Sequence, residues 1–142
     1  MQKNKEFGTS NKLATLSLFG LGVFVDIRGF YWTINQDSVL NESEFYQALH
    51  NVMPIWVWGV LLIIFGTSLM IASIFFGKRN VNNKTYYFML FGGTGSAIIH
   101  FLMASASIYN SINWLTPMQF VVLTAWLGFV GFLGGLELYG RK

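Results

Sequence analysis

Hydrophobic residues fill most of the chain in long runs that are separated by short polar connections. Between Lys84 and Glu137, 52 consecutive residues contain no Asp, Glu, Lys or Arg, and between Glu44 and Lys78 another 33 contain none. A soluble domain of this size could not bury both stretches, because folding leaves it a large surface in contact with water. The pattern therefore predicts an integral membrane protein.

Four of the runs are long enough to cross a bilayer as helices. A crossing of ~30 Å of hydrocarbon needs about 20 predominantly apolar residues at ~1.5 Å per residue. The predicted spans are residues 13–34, 54–76, 85–108 and 117–139. Pro54 and Pro117 each fall in the first turn of a span, where a missing N–H leaves no helical hydrogen bond unmade. We expect an all-α fold with one domain over residues 1–142, in which four transmembrane helices form two hairpins.

The first run has a signal peptide as its alternative, because lysines precede it. A cleaved signal needs small residues at its cleavage site. Asp26, Arg28 and bulky aromatic residues follow the run instead, so we expect a retained span.

The positions of the cations predict the orientation of the spans. Eight of the nine fall in three short segments, before the first span, between the second and third, and after the fourth: Lys3, Lys5, Lys12, Lys78, Arg79, Lys84, Arg141 and Lys142. The connections 35–53 and 109–116 contain no Lys or Arg. Cytoplasmic connections carry the excess of Lys and Arg. We therefore expect a multi-pass protein of the cytoplasmic membrane with both termini cytoplasmic, and no nucleic-acid surface.

The first outer connection contains a helical pattern. Asn41 or Ser43 could cap a short helix, and Phe45, Leu49 and Val52 would then share one face. The pattern predicts a short helix that lies along the outer interface, with an ordered loop as the alternative.

Three ionisable residues lie inside the predicted spans, where such groups are costly unless they are paired or hydrated. Asp26 lies ~20 Å, and Arg28 and His100 ~23 Å, from the cytoplasmic ends of their spans at the standard helical rise, so all three share one layer. Residues two apart on a helix point ~200° away from each other, so Asp26 and Arg28 cannot both face His100.

Two arrangements of this layer remain open. In the first, Asp26 contacts His100, and Arg28 turns to another helix, another protomer or a water-filled cleft. In the second, the Arg28 side chain extends to the headgroups, and Asp26 is protonated or bonded to a neighbouring hydroxyl. The layer is either functional or a device that fixes helix register.

Small residues recur at three- and four-residue spacing in the last two spans. Such spacing allows close contact between membrane helices. The predicted contact residues are Gly92, Gly95, Ser96, Gly128, Gly131 and Gly135. We expect contacts inside one bundle, with contacts between protomers as the alternative.

The sequence offers little for chemistry. It contains no Cys, which excludes thiolate chemistry and Cys-based metal sites. Its two histidines, His50 and His100, are predicted at different depths, which does not fit axial ligation of haem. No nucleophile with a base and no carboxylate pair at one level is apparent. We therefore predict a protein that is not an enzyme and has no cofactor or metal.

With 142 residues, short connections and many Lys, Asn, Ile and Phe residues, the chain resembles small multi-pass membrane proteins of phages and prophages of low-GC Gram-positive bacteria. That group includes holins, which form holes in the cytoplasmic membrane, and superinfection-exclusion proteins, which block incoming DNA. The resemblance implies a non-enzymatic protein that acts on the host membrane, with the bilayer and a second copy or another membrane protein as partners. The alternatives are a small transporter or channel subunit and an accessory subunit of a larger complex.

Overall fold

The computed structural model describes residues 8–78, 83–110 and 113–140, which form six α-helices. These are α1 (Thr9–Ile34), α2 (Gln36–Glu42), α3 (Glu44–Val52), α4 (Ile55–Phe75), α5 (Lys84–Asn110) and α6 (Leu115–Tyr139), and a 3₁₀ turn at Phe76–Lys78 follows α4. None of the described residues adopts a strand. Four of the helices, α1, α4, α5 and α6, are long and apolar enough to cross a membrane. The predicted all-α class is therefore confirmed for the described residues, and each of the four predicted spans coincides with a helix that could cross a membrane.

The span boundaries differ from the predicted ones by a few residues. Helix α1 begins at Thr9, and α5 continues to Asn110. Pro54 directly precedes α4, and Pro117 is the third residue of α6, so both prolines lie where a helix tolerates them. Five of the cations on which the predicted orientation depends lie outside the described residues: Lys3, Lys5, Arg79, Arg141 and Lys142.

The connection between α1 and α4 contains two short helices, where the sequence predicted one. Helix α3 is the predicted one: Ser43 precedes it, and Phe45 and Leu49 are buried. Val52 was expected on the same face but is 78% exposed, because α3 ends there and Met53 turns into an extended conformation. Helix α2 was not predicted, and Val39 is its one buried residue.

Helices α1 and α4 touch at the level of their backbones. A Cβ atom on Gly22 would lie 2.7 Å from the Gly66 carbonyl oxygen, and one on Gly29 would lie 2.7 Å from the Gly59 carbonyl oxygen. Any side chain at these positions would push the helices apart. We call this contact, lined by Gly22, Gly29, Gly59 and Gly66, the closed seam.

The remaining spans pack against each other in chain order. Helix α4 also packs on α5, and α5 packs along α6, whereas α1 and α6 make few contacts with each other. Helix α3 lies against α5 at one end of the bundle. Each span runs antiparallel to the next, as the order of the glycine contacts requires, so Lys12 and Lys84, at the starts of α1 and α5, lie at the opposite end from α3.

Candidate functional site

Asp26 lies in the closed seam between Gly22 and Gly29. Its side chain is 6% exposed, and Thr67 Oγ1 of α4 donates a hydrogen bond of 3.1 Å to Asp26 Oδ2. Gly66 lies directly opposite, and a Cβ there would collide with Oδ1. Oδ1 is buried without a hydrogen-bond partner in the part of the chain that the structure describes. The glycine is therefore what makes room for the carboxylate.

Arg28 points to the other side of α1, toward α6. Its guanidinium carbon lies 5.5 Å from the centre of the Phe24 ring and 4.9 Å from that of Phe120 on α6. A guanidinium within about 6 Å of a ring is attracted to the ring face. Nη1 is buried and has no hydrogen-bond partner among the described residues. Of the orientations that the sequence left open, these contacts favour the turn toward another helix.

His100 is fully buried on α5. Its Nδ1 lies 2.8 Å from the carbonyl oxygen of Ser96, one turn earlier. A carbonyl only accepts, so Nδ1 carries the proton and donates. Within the described residues, Nε2 has no hydrogen-bond partner.

Asp26 and His100 do not form the hydrogen bond proposed from the sequence. The carboxylate bonds to Thr67 and the imidazole to its own helix. The reason is the order of packing: α1 lies along α4, so the group that meets Asp26 is a hydroxyl of α4. The structure instead agrees with the other possibility considered from the sequence, in which Asp26 is bonded to a neighbouring hydroxyl.

Phe120 connects the elements around this layer, and the sequence did not single it out. Its ring stacks on Phe45 of α3 at 5.6 Å and meets the His100 ring edge-on at 6.3 Å, besides lying over the Arg28 guanidinium. An aromatic residue within an apolar run carries no polar marker. The one usable signal is depth, because Phe120 lies five residues into α6, near the end at which Arg28 and His100 also lie.

The short helices are fixed over this end of the bundle by side-chain hydrogen bonds. Trp58 Nε1 of α4 donates to the carbonyl oxygens of Leu49 at 3.2 Å and Met53 at 2.9 Å. Tyr31 Oη of α1 donates to Glu42 Oε1 of α2 at 2.7 Å. Together these bonds attach α2 to α1 and the end of α3 to α4.

Tyr46 of α3 lies near Arg28. Burial, and after it the negative charge of Glu42, raises the pKa of the Tyr46 phenol above its ordinary value. The phenol is therefore neutral at pH 7 and supplies no negative charge to Arg28.

The small residues predicted to pack fall into two groups. Gly92 and Gly95 pack on α4, where a Cβ would meet the carbonyl oxygen and the ring of Phe65. Gly131 lies against α5, because a Cβ on Gly93 would come 2.5 Å from its backbone nitrogen. Ser96 is fully buried.

The other two glycines lie away from close contacts. A Cβ on Gly128 would have Ala97 at 3.7 Å, and one on Gly135 would have Leu90 at 3.5 Å, which are ordinary distances. Both line a shallow groove of ≈ 580 Å³ between α5 and α6. Gly134, three residues after Gly131, packs on the α5 backbone instead.

The described residues contain no group of three or more His, Asp or Glu side chains placed to hold a metal ion. His50 has a local contact, since its Nδ1 accepts a hydrogen bond of 3.4 Å from the backbone N–H of Ile55 at the start of α4. The polar layer thus consists of separate interactions on different helix contacts.

Comparisons with protein-family models, with curated proteins and with solved structures found no match. The class of protein rests on the chain itself: an all-helical protein with four helices able to span a membrane. Its polar site is a layer near one end of the bundle, in which Asp26 is enclosed by α4 and Arg28 lies beside α6.

Proposed function

We propose that this chain is a non-enzymatic protein of a bacterial cytoplasmic membrane, of phage or prophage type, that acts like a superinfection-exclusion protein. In this proposal the four spans form two hairpins with both termini in the cytoplasm, and the protein binds another protein within the membrane. The antiparallel packing supports the orientation, because it brings Lys12 and Lys84 to one end of the bundle.

The observation that carries the proposal is the character of the outward faces. Large apolar side chains are exposed along all four spans, for example Phe19, Phe24, Ile64, Phe91, Phe101, Trp126, Phe129 and Phe132. Exposed charged side chains of the described spans occur only near span ends, at Lys12, Lys84 and Glu137. A protein that lines a water-filled hole needs a polar face toward the water. An apolar surface fits lateral contact with lipid and protein, which favours exclusion over a holin-like hole.

The test is controlled expression in a low-GC Gram-positive host, with a membrane-potential dye and a phage challenge. We expect an unchanged membrane potential, normal phage adsorption and reduced entry of phage DNA. An unrelated four-pass membrane protein at the same expression level is the control. Collapse of the membrane potential would indicate a holin instead of an exclusion protein. Unchanged entry of phage DNA at an intact membrane potential would contradict both functions.

The transporter or channel alternative has one observation in its favour. Asp26 Oδ1 and His100 Nε2 are buried without hydrogen-bond partners among the described residues, and such atoms could bind an ion or a proton. Their separation on different helix contacts weakens this alternative. Flux in reconstituted vesicles decides, since Asp26→Asn and His100→Ala should change it only if the layer conducts.

A further inference from the structure

A groove runs between α1 and α6, the two spans that do not pack closely. Near Arg28 it has a volume of ≈ 590 Å³ and is lined by Phe24, Met118 and Val122 among others. It continues as a space of ≈ 370 Å³ along Gly20 and Trp126. A last part of ≈ 180 Å³ reaches Ala14. Neighbouring parts share lining residues, so we treat them as one feature, the α1–α6 groove.

The length of the groove suits an acyl chain. From Arg28 to Ala14 it follows 14 residues of α1, or ~21 Å at the standard rise. An acyl chain spans one leaflet, which is half of the ~30 Å hydrocarbon core or ~15 Å. The groove is therefore long enough to hold an extended acyl chain. Its middle is open at Gly20, where a Cβ would meet nothing within 4 Å.

One end of the groove carries an uncompensated charge. Arg28 lies six residues before the end of α1, or ~9 Å from it. Its Nη1 lacks a hydrogen-bond partner, and among the described residues no carboxylate forms an ion pair with it. Tyr46 beside it is neutral. A guanidinium in such surroundings is stabilised by an anion, and phosphate oxygens match its paired N–H groups.

We propose that the α1–α6 groove binds an anionic phospholipid, with the phosphodiester on Arg28 and an acyl chain along the groove toward Ala14. Two observations select this occupant over a second copy of the chain: a cation without a counter-charge at one end, and a continuous, mostly apolar path leading away from it. The proposal rests on the membrane location and is independent of the exclusion role.

The test measures lipid that stays with the protein. The full chain is reconstituted in vesicles of equal phosphatidylglycerol and phosphatidylcholine and extracted in mild detergent, and retained lipid is determined by native mass spectrometry. We expect phosphatidylglycerol to exceed phosphatidylcholine about tenfold, equivalent to about 1.4 kcal/mol. Arg28→Gln should reduce that ratio to about one, because the preference depends on the charge. Lys84→Gln, which removes one cation from another part of the bundle, should keep it.

A second pair of variants tests the apolar path. Gly20→Trp places a ring in the open middle of the groove and should reduce retained lipid severalfold, whereas Gly20→Ala should leave it unchanged. Circular dichroism and thermal unfolding verify that each variant is folded. The proposal is overturned if the wild type retains both lipids equally, if Arg28→Gln matches Lys84→Gln, or if Gly20→Trp separates a dimer instead of releasing lipid.

Discussion

The two sides of α1 meet their neighbours in opposite ways. On one side, the closed seam brings α1 against α4 so tightly that no side chain fits at Gly22 or Gly66. On the other side, the α1–α6 groove leaves room along most of the helix. Each side holds one ionisable residue, Asp26 in the seam and Arg28 in the groove, and the two residues share nearly the same depth.

Depth alone therefore does not assign a role to a buried charge. Asp26 is enclosed, and the hydroxyl of Thr67 already satisfies one of its oxygens. Arg28 has aromatic faces but no anion among the described residues, and it borders open space. We therefore interpret Asp26 as a contact between helices and Arg28 as a site for a ligand.

The largest effect is expected at Phe120, whose ring lies over the Arg28 guanidinium at one end of the groove. Phe120→Ala should lower the free energy of unfolding by about 3 kcal/mol, because a ring that is 6% exposed leaves a cavity between α3, α5 and α6. This loss is at the lower end of the range for a buried Phe→Ala change, because lipid, unlike water, competes for apolar contacts. Reversible unfolding in mixed micelles measures the change.

Phe132→Ala on the same helix is the matched control. Its ring is 59% exposed, so the change should stay within about 0.5 kcal/mol of the wild type. Equal losses for the two variants would contradict the role of Phe120 as a packing centre. An unchanged stability for Phe120→Ala would do the same.

A smaller effect distinguishes the seam from the groove directly. Gly22→Ala should destabilise by about 2 kcal/mol, because its Cβ would lie 2.7 Å from the Gly66 carbonyl oxygen and force α1 away from α4. Gly20→Ala, two residues earlier, has nothing within 4 Å and should be neutral or stabilise by up to about 1 kcal/mol. The same unfolding assay compares the two variants.

The opposite order of stability would mean that α1 turns its other face to α4. Similar values for the two variants would mean that the seam is not closed. Either result would remove the distinction between the two sides of α1.

The spans could be predicted from the sequence because hydropathy and helix length are local properties. Residues 54–76 and 117–139 are apolar over almost their whole length, and a proline lies within two residues of the start of each helix. Helix α2 was not predicted because it is seven residues long and Val39 is its one buried residue, so its sequence has no hydrophobic periodicity.

The neighbours of each helix could not be predicted in the same way. Depth suggested that Asp26 faces His100, but which spans touch depends on packing along the whole helix. A usable signal was present in the seven-residue spacing of Gly22 and Gly29, repeated by Gly59 and Gly66 in the next span. Gly128 and Gly135 have the same spacing but line a groove. The pattern therefore identifies a helix face without side chains, and it does not identify what packs on that face.

The smallest effect tests the interaction that holds Asp26. A double-mutant cycle of Asp26→Ala and Thr67→Val should give a coupling of about 0.6 kcal/mol, the typical value for hydrogen bonds between membrane helices. The same cycle with His100→Ala should give a coupling near zero, because His100 bonds to Ser96 of its own helix. Thr124→Val is the control, since the Thr124 hydroxyl donates to the Phe120 carbonyl oxygen and not to α1. A coupling of Asp26 with His100 that equals or exceeds its coupling with Thr67 would restore the pairing first suggested by depth, and it would show that α1 lies against α5 in the membrane.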